Sequence, residues 1–128
     1  MSKYPFRRGE YSLVPSDVRF FYHQSDRWLS VPAIIDTGAT FVFVPERLAA
    51  RLGLPYRGRQ NVKLADGYTV QMKRHTLDIQ VPGLSRRTCI AISGTEKVLL
   101  GIDFLGHFKM QIVDREFWEL VEVNEDFE

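Results

Sequence analysis

Apolar and polar residues alternate along most of this chain, and they do so in short runs. Val18-Arg19-Phe20-Phe21-Tyr22-His23 predicts a strand. Gln24-Ser25-Asp26-Arg27 predicts a polar turn, and residues 28–35 a returning strand, so the first hairpin ends at Asp36. Pro32 has no N–H to give to a ladder and predicts an edge or a bulge within that strand. Asn61-Val62-Lys63-Leu64 and Tyr68-Thr69-Val70-Gln71-Met72 alternate on either side of Asp66-Gly67, a hairpin signal. His75 to Val81 alternates cleanly until Pro82-Gly83 ends it, and Thr88-Cys89-Ile90-Ala91-Ile92 reads as the next strand. Phe108-Lys109-Met110-Gln111-Ile112 and Phe117-Trp118-Glu119-Leu120-Val121 form a last hairpin around Asp114-Arg115-Glu116.

One stretch has a different period. Pro45 suits a first helical turn, Leu48 and Leu52 lie four apart, and Gly53 fits a helix stop. Many short strands with one or two short helices predict an all-β single domain closed into a barrel. The domain spans residues 1–128, with a loose arm over 1–12 and a frayed acidic tail over 122–128.

Composition narrows the class. A chain of 128 residues with 45% hydrophobic residues can bury one core. A formal net charge of +1 gives no electrostatic reason to expect nucleic acid. Arg57, Arg59, Lys63, Arg86 and Arg87 read as solvated faces. No apolar run approaches the ~20 residues of a membrane span, and residues 1–8 lack a secretory apolar core, so the expectation is a cytoplasmic protein without membrane contact. Cys89 is the single cysteine, which excludes an intrachain disulfide and reads as a buried thiol.

The candidate chemistry lies in Asp36-Thr37-Gly38-Ala39-Thr40. It follows the apolar run Val31-Pro32-Ala33-Ile34-Ile35 and precedes Phe41-Val42-Phe43-Val44. An acid in such a setting needs hydrogen bonds, and a tight turn at Gly38 can supply backbone N–H donors. This is what an aspartic peptidase requires. His23, His75 and His107 have no metal-ligand spacing, and neither a Gly-x-Ser-x-Gly elbow nor a glycine-rich phosphate loop is present.

Asp-Thr-Gly alone is weak evidence. Together with its flanks, Leu64-Ala65-Asp66-Gly67-Tyr68 and Val98-Leu99-Leu100-Gly101-Ile102-Asp103-Phe104-Leu105, it resembles the retropepsin-like (retroviral-type) aspartic proteases, above all their small bacterial and retroelement-like members. The resemblance implies the acid-protease barrel, a homodimer, a protein or peptide substrate bound in extended form with apolar pockets around the cleaved bond, and no metal or organic cofactor. It implies that Asp36 is catalytic, that Thr37, Gly38, Ala39 and Thr40 complete its loop, and that residues 64–68 form the flap over the substrate. A plain hairpin tip is the other reading of 64–68.

Two carboxylates about 3 Å apart must share one proton in such an enzyme. With a single Asp-Thr-Gly, the second comes from another copy, with Asp36 of each subunit at a twofold axis. Asp103, the one internal rival, reads as a helix cap or an arginine partner. Thr37 is expected to bond across the dyad to the other subunit or back to its own loop. Ala39 offers no hydroxyl to the outer carboxylate oxygen. The flap has Gly67 as its one glycine, and Ile102 stands where retroviral enzymes carry an arginine after the glycine. The apolar terminal hairpin, with Phe108, Met110 and Ile112 on one face, is expected to bury itself against its twin. A dimeric peptide-binding scaffold with little turnover, and a monomeric barrel in which Asp36 is only a turn acid, are the competing readings.

Overall fold

Val31-Pro32-Ala33 interrupts what the alternation predicts as one strand, and that interruption shapes the sheet. In the computed structural model, which describes residues 2–5 and 18–123, β1 is Ser2–Pro5 and β2 is Arg19–Phe21. The returning segment then splits into β3 (Trp28–Ser30) and β4 (Ile34–Ile35). Proline has no N–H for a ladder, so the pairing changes partners around it. β3 pairs antiparallel with β2, whereas β4 pairs parallel with β9 (Leu99–Leu100). Asp36 continues the new pairing by donating its N–H to the Leu100 carbonyl at 3.0 Å.

β5 (Val42–Val44) is buried at all three positions and leads into helix α1 (Glu46–Leu52). Pro45 opens the helix in extended conformation, and Gly53, at φ 65°, closes it in the left-handed region that glycine adopts without strain. Ala49 and Leu52 are its buried residues, with Leu48 packed against the core. β6 (Tyr56–Lys63) and β7 (Thr69–Gln80) form the expected hairpin around Asp66-Gly67. Tyr68–Met72 and His75–Val81, read as two strands, are largely one. Lys73 and Arg74 carry no turn signal and pair with Ser93 and Ile92 of β8 (Arg87–Ser93).

Helix α2 (Ile102–Leu105) is a single turn, followed by β10 (Phe108–Ile112) and β11 (Phe117–Glu122). The main sheet runs β3-β2-β7-β8-β5-β9-β4, with β6 attached to β7. Its path ends at β3 and β4, so the expected closed barrel is corrected to an open, curled sheet. Short alternating strands reveal which faces are apolar but not which edges pair, and here the chain leaves one edge at Val31 and joins the other. No helix among the described residues is long and apolar enough to cross a membrane.

The terminal strands form a separate sheet in the order β1-β11-β10. Ser2–Pro5 therefore do not lie in a loose arm but pair antiparallel with residues 117–120, and residues 6–12 of the expected arm fall outside the described residues. The terminal hairpin also differs from expectation. Phe108, Trp118 and Leu120 are buried in the chain's own core, with Met110 packed against it, so this apolar face is covered without a twin. Ile112 alone of the expected face stays open, 74% exposed. Glu122 is no frayed residue either. Its carboxylate accepts the Ser85 N–H at 2.8 Å and the Ser85 hydroxyl at 2.9 Å, which hold it below the usual carboxylate range. The rest of the expected tail, residues 124–128, lies outside the described residues.

Candidate active site

Asp36 leaves β4 at the edge of the apolar core, half-buried. Its Oδ1 accepts the Gly38 N–H at 3.0 Å, and its carbonyl accepts the Ala39 N–H at 3.1 Å. The loop thus fixes its own acid, as the sequence predicts. Among the described residues Oδ2 has no hydrogen bond. A β-carbon at Gly38 would lie 3.3 Å from Asp36 Oδ1, so glycine keeps that approach clear. Thr37 and Thr40 are exposed, and the Thr37 hydroxyl makes no hydrogen bond among the described residues. Ala39 contributes backbone only.

Residues 101–103 clamp the loop from behind. Ile102 N–H donates to the Ala39 carbonyl at 2.9 Å, and Asp103 N–H to the Thr40 carbonyl at 2.8 Å. Gly101 passes so close that an added β-carbon would meet Phe41 O at 2.1 Å and Ala39 O at 2.5 Å. The predicted packing of this segment behind the Asp36 loop is therefore present.

Asp103 does not cap α2, and it pairs with no arginine among the described residues. Gly101 is the N-cap, and Asp103 Oδ2 accepts the Ile90 N–H of β8 at 2.6 Å. A strand amide reached across thirteen residues has no local signature, so the sequence did not disclose this partner. The bond joins the loop behind Asp36 to the centre of the sheet, and it occupies the one internal carboxylate that could have rivalled Asp36.

The 64–68 tip is a tight turn. Leu64 N–H donates to Tyr68 O at 2.7 Å, Gly67 N–H to Leu64 O at 3.0 Å, and Tyr68 N–H to Asp66 Oδ1 at 3.0 Å. Gly67 sits at φ 92°, open to glycine at no cost. Leu64, Ala65, Asp66, Gly67 and Tyr68 are all exposed, Tyr68 at 73%. The ribbon keeps exposed residues along both strands until His75, where β7 meets the core. The 64–68 tip thus ends an exposed two-stranded arm.

His75, which the sequence places in an alternating strand, is buried, with Nε2 3.0 Å from Ser93 Oγ. The signal was available, because His75 is in phase with Leu77, Ile79 and Val81. Burial lowers its pKa below 6.5, more than the Leu54 and Pro55 carbonyls raise it. Cys89 is buried, and desolvation, helped by the Asp103 charge, pushes its thiol up to about 12. A thiol so rarely ionised is a structural residue and not a nucleophile. No group of three His, Cys, Asp or Glu residues that could hold a metal ion occurs among the described residues.

An all-β fold with an Asp-Thr-Gly loop clamped from behind by an apolar-apolar-Gly segment defines the retropepsin-like aspartic protease superfamily, of which this chain is a member. Within it, residues 28–107 match the family described as gag-polyprotein putative aspartyl protease, and the chain belongs to that family. The crystal structure of a retropepsin-like aspartic protease from Rickettsia conorii is similar in fold. It is 17% identical, the match covers 92% of this chain and 87% of that one, and the TM-score is 0.61. The retroviral protease-like domain of Ddi1 from Leishmania major is 18% identical over 89% of this chain and 98% of that one, with a TM-score of 0.47. No curated protein matches the sequence.

Proposed function

We propose that this protein is an aspartic endopeptidase whose catalytic pair is Asp36 from two copies of the chain. The observation that carries the reading is the Asp36 carboxylate itself. One oxygen is held by the Gly38 N–H, the other has no partner among the described residues, and Asp103 is committed to Ile90. Brought against its twin across a twofold axis, such a carboxylate must share a proton, because two like charges that close do not both ionise. The ionised member takes a proton from water, the water oxygen attacks the scissile carbonyl, and the protonated member donates to the carbonyl oxygen. Proton transfer to the leaving nitrogen then breaks the C–N bond. In this reading the Thr37 hydroxyl, exposed in the single chain, bonds across the pair, and the 64–68 hairpin closes over an extended peptide and excludes water.

The test is turnover of a degenerate peptide library by the full chain and by Asp36→Asn. Asparagine keeps an acceptor for Gly38 but cannot share the proton, so turnover is lost while the circular dichroism spectrum stays the same. Turnover unchanged in the variant removes the reading. The competing scaffold reading draws on the single glycine in the flap and on Ile102, 48% exposed in place of an arginine. It predicts dimers that bind peptides with no Asp36-dependent cleavage.

A further inference from the structure

We propose that the peptide bound by this protein carries acidic side chains near the scissile bond, recognised by Arg59, Lys63 and Lys73 on one face of the β6–β7 ribbon. The proposal rests on the aspartic-peptidase reading and departs from the wholly apolar subsites that the family resemblance implies.

The face is fixed by strand geometry. His75, Leu77 and Ile79 of β7 point into the core. Side chains two apart share a side of a strand, so Lys73, Gln71 and Thr69 continue that same side outward along the ribbon. Their register partners on β6 are Arg59, Asn61 and Lys63, and directly paired residues project together. Three cations and three neutral polar residues therefore share one face, with no carboxylate among them. All six are exposed.

The opposite face is partly occupied. Gln60, Val62 and Met72 are half-buried, and the Met72 methyl lies 2.7 Å from where a β-carbon on Gly94 would stand. The basic face is thus the open one. At the inner end of this face Lys73 Nζ lies 4.0 Å from Oε1 of Glu46, at the start of the helix that follows β5. A substrate lying between the ribbon and the Asp36 loop meets these side chains.

Charge gives the preference. Arg59 and Lys73 sit directly opposite each other, and like charges in that position repel. Glu46 offsets Lys73, but Arg59 and Lys63 have no ion-pair partner among the described residues. A substrate carboxylate entering this face relieves the repulsion and makes charge-assisted bonds.

The experiment compares two degenerate peptide libraries, identical except that one carries Glu where the other carries Gln. Binding to the full chain and cleavage by it are both measured, at low and at high salt. The Glu library binds tighter by about five- to tenfold at low salt, as expected for two or three exposed charge contacts, and the advantage shrinks with added salt. In Lys63→Glu, an exposed substitution, the advantage falls to parity or inverts. Equal binding of the two libraries overturns the proposal, as does a Glu advantage unchanged by Lys63→Glu. Binding that prefers Glu in the absence of any cleavage upholds this face and discards the peptidase reading, so the two failures are distinct.

Discussion

A β-carbon at Gly101 would stand 2.1 Å from the carbonyl oxygen of Phe41, and the obstacle is backbone on both counts, since Ala39 O lies 2.5 Å away. Neither can yield as a flexible side chain would. Gly101 has φ −96° and ψ −169°, an extended conformation open to any residue, so the demand for glycine is spatial. Gly101→Ala must push α2 away from the Asp36 loop and break the Ile102–Ala39 bond at 2.9 Å. The expected cost is about 3 kcal/mol or more, from overpacking against an unyielding neighbour. Urea denaturation measures it, and peptide turnover should vanish before the fold does. A variant as stable as the parent would contradict the clamp.

Asp103 predicts a graded series. Removing its carboxylate in Asp103→Ala leaves the part-buried Ile90 N–H without its acceptor, at a cost of about 1–3 kcal/mol. Asp103→Asn keeps an oxygen at the same reach and should recover most of the loss. The Ile90 amide, followed by hydrogen exchange, should lose protection in the alanine variant and largely regain it in the asparagine variant. An asparagine variant as damaged as alanine would mean that the charge, not the acceptor, holds α2 to β8.

These two residues show where sequence reading stops. Asp36-Thr37-Gly38, the Pro45 to Gly53 helix and the Asp66-Gly67 turn are legible because their determinants are local: a carboxylate reaching two residues ahead, a fixed proline φ, a glycine at positive φ. Gly101 was visible as part of a motif, but its 2.1 Å limit belongs to Phe41, sixty positions earlier. The Asp103–Ile90 bond, the β1–β11 pairing and the switch from β3 to β4 are choices among long-range partners of similar local character. Alternation alone cannot rank such partners. It also misjudged the terminal hairpin, because an apolar strand face gives no indication of whether its cover comes from the same chain or another.

Cys89 should be inert in the folded protein. With the thiol at about 12 against a reference of 9.0, the thiolate fraction near neutral pH is about a thousandfold lower than in the unfolded chain. Alkylation by iodoacetamide should therefore be slow in buffer and complete within the usual time in denaturant. Rapid labelling of the native protein, with its dichroism unchanged, would show that the thiol is accessible after all.

His75 ties stability to pH. Its ring is buried, and its Nε2 is 3.0 Å from Ser93 Oγ. Desolvation is the largest influence and lowers the pKa from 6.5. Lys73 lowers it further, while the Leu54 and Pro55 carbonyls and Glu46 raise it in part. Between the lowered folded pKa and 6.5 the unfolded chain binds a proton that the folded chain does not. Stability is therefore full above 6.5 and declines as pH falls through that value. The urea midpoint should drop between about pH 7.5 and about pH 5.5, above the range where ordinary carboxylates titrate. His75→Gln cannot take up the proton. It should be less stable than the parent at the upper pH, because it loses shape and ring packing, yet show a shallower decline across the window. Parallel slopes for parent and variant would remove His75 as the source of the acid sensitivity.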